Sequence, residues 1–356
     1  MDPANLKDKF DGKISFCGGV DTQDLLPNGT PEQVAAKVKE LRTYFPTGLI
    51  VSPSHEGLQP DVPPSNIKAL FDRSNQDLRI GRKKNMIIIG EKINGSIPSV
   101  AEAIAKRDAE FIKDRARKQA EAGATFIDCC ASVPEEEEVE TLKWMIDCIQ
   151  EVTDLPISVD SPSADVLIQA YKFCKRPGLF NSVSGEGDKI DKIFPVMAQE
   201  ENKGWEVIAL LSDDTGIPKN AADRLRVFDK IMAKAKEYGI APSRLHIDPL
   251  VEMLCTSENG IETNIEVITS VREQYPSIHI TAAISNISFN LPVRKLINLG
   301  FMVLAMNAGL DSGILDPTNR DMLGLIYATE ALLGEDDYCM EYIGAYREGL
   351  IGPVKK

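Results

Sequence analysis

Short apolar segments alternate with longer amphipathic segments from residue 86 to residue 346. Short runs rich in Ile, Val and Leu are typical of buried strands, and apolar residues spaced three to four apart are typical of helices. The pattern predicts eight strands, at residues 86–89, 125–129, 157–159, 179–181, 207–211, 245–247, 278–284 and 302–306. Eight alternating strand and helix units in a span of this size predict an α/β fold, the (β/α)8 TIM barrel. Helical segments near 320–333 and 338–346 are expected to complete it.

The first 72 residues carry a shorter pattern of the same kind. Strands are predicted at 13–17 and 49–51, and helices are predicted to begin near Thr30 and Pro63. Two parallel strands do not close a sheet, so this segment is interpreted as a short N-terminal βαβα appendage. The polar stretch 73–85 has few residues able to form a core and predicts a linker. The expected organisation is therefore 1–72 appendage, 73–85 linker and 86–356 barrel domain.

Polar side chains end five of the predicted barrel strands. They are Asp128, Asp160, Asn181, Asp248 and Asn286. One such residue alone is typical of a helix cap, but the carboxyl ends of barrel strands meet in one mouth, and burying five polar groups there without a ligand is costly. Ionised carboxylates match the adjacent N–H donors of a 2-aminopyrimidinone ring, and amides complement its remaining edge. The set predicts a pterin-like ligand.

Composition narrows the classes of protein. No apolar run has the length of a membrane span and the first residues do not resemble a secretory signal, so we expect a cytoplasmic protein without a membrane partner. The net charge of -14 disfavours nucleic acid as a ligand. Seven cysteines without an export signal predict reduced thiols, and three histidines without a C-x-x-C motif predict no metal site.

Six segments, in chain order, resemble the pterin-binding methyltransferases. They are IIGEKING (88–95), ISVDS (157–161), NS (181–182), TGIP (215–218), HIDPL (246–250) and SNISF (285–289). This family includes the methyltetrahydrofolate:corrinoid protein methyltransferases and the folate module of cobalamin-dependent methionine synthase. The resemblance implies a homodimeric barrel that moves a methyl group between N5 of tetrahydrofolate and the cobalt of a corrinoid. Tetrahydrofolate or 5-methyltetrahydrofolate would be the substrate, and a partner corrinoid protein would carry the cobalt.

The same resemblance assigns roles by position. Asp160, Asn181 and Asp248 would hold the pterin ring, and Asn286 would be catalytic, with its amide reaching N5. Ser285 and Gly90 would line the ring. Asp128 and Asn94 would act behind it or hold a water, and Arg294 would meet the benzoyl-glutamate tail.

Two alternatives remain open. A pterin-binding scaffold or folate buffer would keep the ring site without turnover, although ring binding alone does not require Asn286. A dihydropteroate synthase would be expected to have a lysine near the end of strand seven and Arg-x-His on strand eight, whereas the chain has AISN (283–286) and LAMN (304–307) there. The favoured activity is that of a second methyltransferase in a demethylation pathway, or of an enzyme in one-carbon metabolism.

The N-terminal segment has a resemblance of its own. FCGGVD (16–21), TPEQV (30–34) and SHEGLQPDVPPSNI (54–67) are similar to the carboxyl-terminal end of the uroporphyrinogen decarboxylase family. Most of that family's barrel is missing from this chain, so the resemblance transfers no activity.

Overall fold

The structure is a computed structural model that describes residues 6–7, 16–45, 49–53, 61–76 and 86–353. Contacts divide the chain into two compact units, Met1–Gly81 and Arg82–Lys356. Of the predicted linker, residues 73–76 belong instead to a helix, and residues 77–85 lie outside the described part of the chain.

The first unit contains two parallel strands, β1 (Phe16–Val20) and β2 (Leu49–Pro53). Its helices are α1 (Leu25–Asn28), α2 (Pro31–Tyr44) and α3 (Pro64–Gln76). Thr30 and Gln33 form a reciprocal capping box at the start of α2, which explains why the helix begins at the predicted position. The βαβα pattern is confirmed, although residues 13–15 of the first predicted strand lie outside the described residues.

The second unit is an eight-stranded parallel barrel with strand order β10-β3-β4-β5-β6-β7-β8-β9. Its strands are β3 (Ile87–Asn94), β4 (Phe126–Cys130), β5 (Ile157–Asp160), β6 (Leu179–Gly185), β7 (Glu206–Asp213), β8 (Leu245–Asp248), β9 (His279–Ile280) and β10 (Ser312–Leu315). A bridge between Ala283 and Ile314 joins the two ends of the sheet. The predicted (β/α)8 barrel is therefore confirmed.

Ten α-helices belong to this unit in the described residues. They are α4 (Pro98–Lys106), α5 (Ala109–Glu121), α6 (Glu135–Gln150), α7 (Ala164–Ala170), α8 (Lys189–Met197), α9 (Ala221–Glu237), α10 (Gly260–Gln274), α11 (Arg294–Ala308), α12 (Arg320–Leu332) and α13 (Met340–Arg347). Across the parts of the chain that the structure describes, no helix combines the length and apolar character needed to cross a membrane.

Hydrophobic side chains form two layers in the barrel. A large layer lies between the strands and the surrounding helices. A small inner cluster contains Ile89, Phe126, Leu179 and Ile208, which come from four different strands. Because side chains alternate along a strand, the residues two positions after these also face the barrel axis.

The structure places the eighth strand later in the chain than the sequence predicted. Residues 302–306 lie within helix α11, and the eighth strand is Ser312–Leu315. An apolar run of this length fits a buried helix as well as a buried strand, and Met302, Ala305 and Met306 are buried on one helix face. The comparison of 304–307 with strand eight was therefore misplaced, but the true strand and the residue after it, 312–316, also lack Arg and His.

The seventh strand is shorter than predicted. Only His279 and Ile280 form a regular ladder with β8. After the bridge at Ala283, residues Ile284–Ser288 form a 3-10 turn, which carries the end of the predicted strand out of the sheet.

Candidate active site at the barrel mouth

Three of the predicted polar residues meet on the neighbouring strands β4, β5 and β6. Asp160 ends β5 as predicted, whereas Asp128 and Asn181 lie within β4 and β6, which continue beyond them. Asp128 accepts hydrogen bonds from Ser158 Oγ at 2.7 Å and from Asn181 Nδ2 at 3.1 Å. Asp160 lies beside Asn181 in the strand ladder. Asp128 and Asn181 each follow an inner-cluster residue by two positions, so both face the mouth.

The two carboxyl groups of this cluster share an unfavourable environment for charge. Burial raises the pKa of Asp128, and the hydrogen bonds from Ser158 and Asn181 oppose the shift. Burial and the neighbouring charge of Asp128 raise the pKa of Asp160. A ligand that offers N–H donors would stabilise the ionised forms that burial disfavours.

Asp248 ends β8 at the same mouth. It is buried and accepts the backbone N–H of Leu250 at 2.7 Å. Burial raises its pKa to about 6, although this hydrogen bond and the charge of Arg224 oppose the shift. A buried carboxyl with a pKa this close to neutrality can change its charge when a donor binds.

Arg224 of α9 fixes the loop that follows Asp248. Its fully buried guanidinium donates to the carbonyl oxygens of Pro249 and Leu250 at 2.5 and 2.9 Å and pairs with Glu252 at 2.6 Å. Its Nε also reaches the carbonyl of Pro218 at 2.9 Å, so one side chain joins two loops of the mouth. Sequence reasoning missed this residue because all of these partners are distant from it on the chain or lie on loops.

The 3-10 turn Ile284–Ser288 places Asn286 and Ser285 at the mouth. Arg294, at the start of α11, donates to the carbonyl oxygen of Ser285 at 2.8 Å and to Ser288 Oγ at 3.0 Å. The backbone N–H of Leu254, in the loop after Asp248, donates to the carbonyl of Ile287 at 3.0 Å. Asn286 is partly buried, and its side-chain amide has no hydrogen-bond partner among the described residues.

Gly90 and Asn94 lie on the strand that begins the barrel. A Cβ atom on Gly90 would come 2.5 Å from Oε1 of Gln119 on α5, which accepts the backbone N–H of Lys92 at 3.0 Å, so a larger residue here would displace that side chain from its hydrogen bond. Asn94 accepts the backbone N–H of Ser96 at 2.9 Å and the hydroxyl of Ser132 at 3.4 Å, and so holds its own turn at the rim.

Glu91 is a site residue that sequence reasoning did not assign, although it lies within the IIGEKING segment. Burial raises its pKa to about 7; the negative charges of Asp316 and Asp128 add to the shift, and the positive charges of Lys92 and Arg294 oppose it. The groups that act on its charge therefore include residues of the mouth on β4 and α11.

A second polar cluster lies at the opposite end of the barrel. Glu206, His246 and His279 offer ligand atoms within 4.8 Å of one another, the one group of this kind among the described residues. Nε2 of His246 lies 2.7 Å from Glu206, its Nδ1 lies 3.2 Å from Ser312 Oγ, and Nδ1 of His279 lies 3.0 Å from Asp311. These hydrogen bonds satisfy the buried rings without an ion, which is typical of a network that stabilises the closed end of a barrel.

Comparison with known families gives two matches along the chain. The model for the pterin binding enzyme family matches residues 90–316. The model for uroporphyrinogen decarboxylase matches residues 1–76. Both resemblances inferred from the sequence motifs are confirmed.

Individual relatives agree with the match to the pterin binding enzyme family. The chain is 48% identical over 270 residues to a methylcorrinoid:tetrahydrofolate methyltransferase of Eubacterium limosum, an alignment that covers 76% of this chain and 99% of the relative. It is 29% identical over 255 residues to a methionine synthase of Mycobacterium leprae, where the match covers 67% of this chain but 21% of the relative.

Solved structures with a similar fold include dihydropteroate synthases. The enzyme of Xanthomonas albilineans, in complex with 7,8-dihydropteroate, has a TM-score of 0.51 at 18% identity and covers 70% of this chain and 93% of its own. The enzyme of Yersinia pestis has a TM-score of 0.51 at 16% identity and covers 70% and 95%. At this identity the likeness supports the barrel fold, and the family match rests on the sequence: the chain belongs to the pterin binding enzyme family.

Proposed function

We propose that this chain transfers a methyl group between N5 of tetrahydrofolate and the cobalt of a corrinoid carried by a separate protein. The observation that carries the proposal is the position of Asn286, whose side-chain amide has no hydrogen-bond partner among the described residues. It lies at the same barrel mouth as the cluster of Asp128, Asp160, Asn181 and Asp248. The 48% identity to the Eubacterium limosum enzyme, whose name specifies methylcorrinoid and tetrahydrofolate, supports it.

The carboxyl and amide groups suit the pterin ring. Asp160 and Asp248, in their ionised forms, accept the N–H donors of the ring, and Asn181 complements an adjacent edge. Asp128 holds the Asn181 amide in place through its hydrogen bond. Arg294, with its exposed guanidinium above the mouth turn, pairs with the glutamate tail.

Asn286 acts at the reacting nitrogen. When the methyl group moves to the folate, the lone pair of N5 forms the new C–N bond and N5 becomes positively charged before it loses its proton. In the reverse direction, N5 must carry positive charge for the C–N bond to break. An amide oxygen facing N5 stabilises that charge in both directions, and a group placed in advance in this way contributes about 3 kcal/mol to lowering a barrier.

The partners follow from the same proposal. The substrates are tetrahydrofolate or 5-methyltetrahydrofolate and a corrinoid protein, as expected of the second methyltransferase in a demethylation pathway. All seven cysteines lie in the described residues and none forms a disulfide, which fits a cytoplasmic location.

We further propose a homodimer. Exposed apolar side chains lie on α11 with the residue before it, and on the α12 to α13 region; they are Val293, Leu296, Leu304, Leu332, Tyr338 and Met340. Helices α11 and α12 pack against each other, so these side chains lie on neighbouring elements, and exposed apolar groups on neighbouring elements favour burial against another protein surface. Sedimentation of the purified chain would give the mass of two protomers, and a single protomer at micromolar concentration would contradict the dimer.

A transfer assay tests the activity. The chain is mixed with a methylated corrinoid protein and tetrahydrofolate, and both the corrinoid absorbance and the formation of 5-methyltetrahydrofolate are followed. Loss of methylcorrinoid matched by an equal amount of 5-methyltetrahydrofolate is expected. Folate binding without turnover across several corrinoid proteins would favour the scaffold or folate buffer instead, and absence of folate binding would reject both functions.

A further inference from the structure

The proposed transfer leaves one proton to be placed. N5 carries a proton beside the methyl group while the C–N bond forms or breaks, and a group at the mouth must take up or supply it. Asn286 has no titratable group, so the proton belongs to another residue. The inference below rests on the proposed function.

Most carboxyl groups near the mouth are already engaged. Asp128 accepts from both Ser158 and Asn181. Asp248 holds the N–H of Leu250. Asp316 accepts from the backbone and hydroxyl of Thr318 at 2.9 and 2.6 Å and pairs with Lys92 at 3.1 Å.

Glu91 differs from these groups. Its carboxyl group makes no hydrogen bond or ion pair to any side chain or backbone group in the described part of the chain, and the residue is partly buried. Ile87 and Ile89 on the same strand pack with the inner cluster, and alternation turns Glu91 to that same side. One extra residue in β3 between Gly90 and Ile93 makes a bulge there, a common device for aiming a side chain near a site.

The surroundings of Glu91 connect it to the Asn286 turn. Arg294 is among the charged groups that act on it, and Arg294 holds the carbonyl of Ser285 and the hydroxyl of Ser288, on either side of Asn286. The negative charge of Asp128, which accepts the hydrogen bond from Asn181 in the ring cluster, raises the pKa of Glu91. Glu91 is therefore close enough to Asp128, in the cluster assigned to the ring, and to Arg294, which holds the turn assigned to N5, for both charges to act on its carboxyl.

We propose that Glu91 is the general acid and base for N5, directly or through one water. When methyl moves to the folate, the N5 lone pair forms the C–N bond and cobalt keeps the electron pair of the broken bond. The proton of the resulting N5 ammonium passes to the Glu91 carboxylate. In reverse, the Glu91 carboxyl protonates N5, an electron pair of the reduced cobalt on the partner protein forms the new bond to the methyl group, the C–N electron pair stays on N5, and the proton remains there as the N–H of tetrahydrofolate.

The electrostatic setting suits both directions. Asp316 and Asp128 raise the pKa of Glu91 beyond the effect of burial, and Lys92 and Arg294 oppose them, which leaves it at about 7. Both protonation states are then present at neutral pH, as a group that gives and takes one proton requires.

Glu91→Gln tests the proposal and Glu330→Gln is the matched control. Glu330 also has a pKa raised by burial to about 7, but it holds the backbone N–H of Met86 before β3, at the other end of the barrel. We expect Glu91→Gln to lower kcat by about 10²-fold or more while the Kd for tetrahydrofolate changes less than about threefold, and to remove the break near pH 7 in the rate profile. Glu91→Asp is expected to restore part of the rate, and Glu330→Gln to keep the original profile.

Two results would overturn the assignment. Glu91→Gln with the original rate and pH profile would show that another group moves the proton. Equal losses in folate affinity and turnover would make Glu91 a binding residue. Absence of transfer by the unaltered chain is a separate outcome, which would reject the proposed function together with this role.

Discussion

Asn181 donates a hydrogen bond from Nδ2 to Oδ1 of Asp128, 3.1 Å away, and the same oxygen accepts the hydroxyl of Ser158 at 2.7 Å. Amide groups can turn by 180° with little change of shape, so this bond decides which atom of Asn181 faces a ligand. Asp128 thus sets the donor and acceptor pattern of the ring site without necessarily touching the ring.

Replacing Asp128 tests that orientation. Asp128→Ala removes the acceptor, so we expect folate binding to weaken by about 1–2 kcal/mol, roughly tenfold, because Asn181 and Ser158 lose a buried partner. Asp128→Asn, which keeps an oxygen acceptor of the same size, should retain most of the affinity. Isothermal titration with tetrahydrofolate measures both, and equal losses in the two variants would show that the charge of Asp128 matters more than its acceptor.

Asn286 is expected to act on turnover rather than on ring affinity. Asn286→Ala should lower kcat about 10²-fold to 10³-fold, the size of effect seen when one preorganised polar contact is removed, while the Kd for tetrahydrofolate changes little. Asn290→Gly is the control, because Asn290 is exposed on the same loop and has a backbone φ of 63° that glycine adopts easily. A parallel fall in affinity and rate in Asn286→Ala would count against contact with N5.

Folate affinity should depend on pH through Asp248. Burial raises the pKa of this carboxyl to about 6, and only the ionised form can accept two ring N–H donors at once, one on each oxygen. Affinity is therefore expected to fall as the pH drops below about 6 and to level off above it. Titrations between pH 5 and 8 measure the dependence.

Asp248→Asn supplies the control for this pH effect. The amide cannot ionise, so we expect weaker binding with a smaller change across the same range; the remainder reports on Asp160, whose pKa is also raised. A wild-type affinity that is constant from pH 5 to 8 would contradict the role of Asp248.

Arg294 is expected to contribute to folate binding in two ways, which ligands with and without the glutamate tail distinguish. Its guanidinium anchors the mouth turn through Ser285 and Ser288, and we propose that it also meets the glutamate tail. Arg294→Lys should therefore weaken tetrahydrofolate about tenfold, as expected for loss of a bidentate carboxylate pair, but weaken a tetrahydropterin without the tail much less. The same loss for both ligands would assign Arg294 to the turn alone.

The barrel unit is expected to fold without the N-terminal unit. A chain beginning at Arg82 retains the eight strands, the helices around them and the bond from Met86 to Glu330. We expect a cooperative thermal transition and the same Kd for tetrahydrofolate as in the full chain. Failure of this chain to fold would show that residues 1–81 are needed for stability.

The sequence by itself determined the barrel and its polar strand ends. Strand and helix periodicity are local properties, and the carboxyl ends of parallel strands must share one mouth, so Asp128, Asp160, Asn181 and Asp248 could be placed together before any contact was known. The same pattern named Asn286, but as the end of a strand, and the family motifs added its expected role at N5.

Only the tertiary structure decided the eighth strand, the turn at Asn286 and the charges at the mouth. Residues 302–306 satisfy a buried strand and a buried helix equally well, and the choice depends on what packs against them. Arg224 carried no local signal, and the IIGEKING segment that contains Glu91 gave no role to that residue, because both environments come from loops and charged groups brought near by the closed barrel. Hydrogen bonding and pKa values depend on distances between groups far apart in sequence, and those distances exist only once the chain has folded.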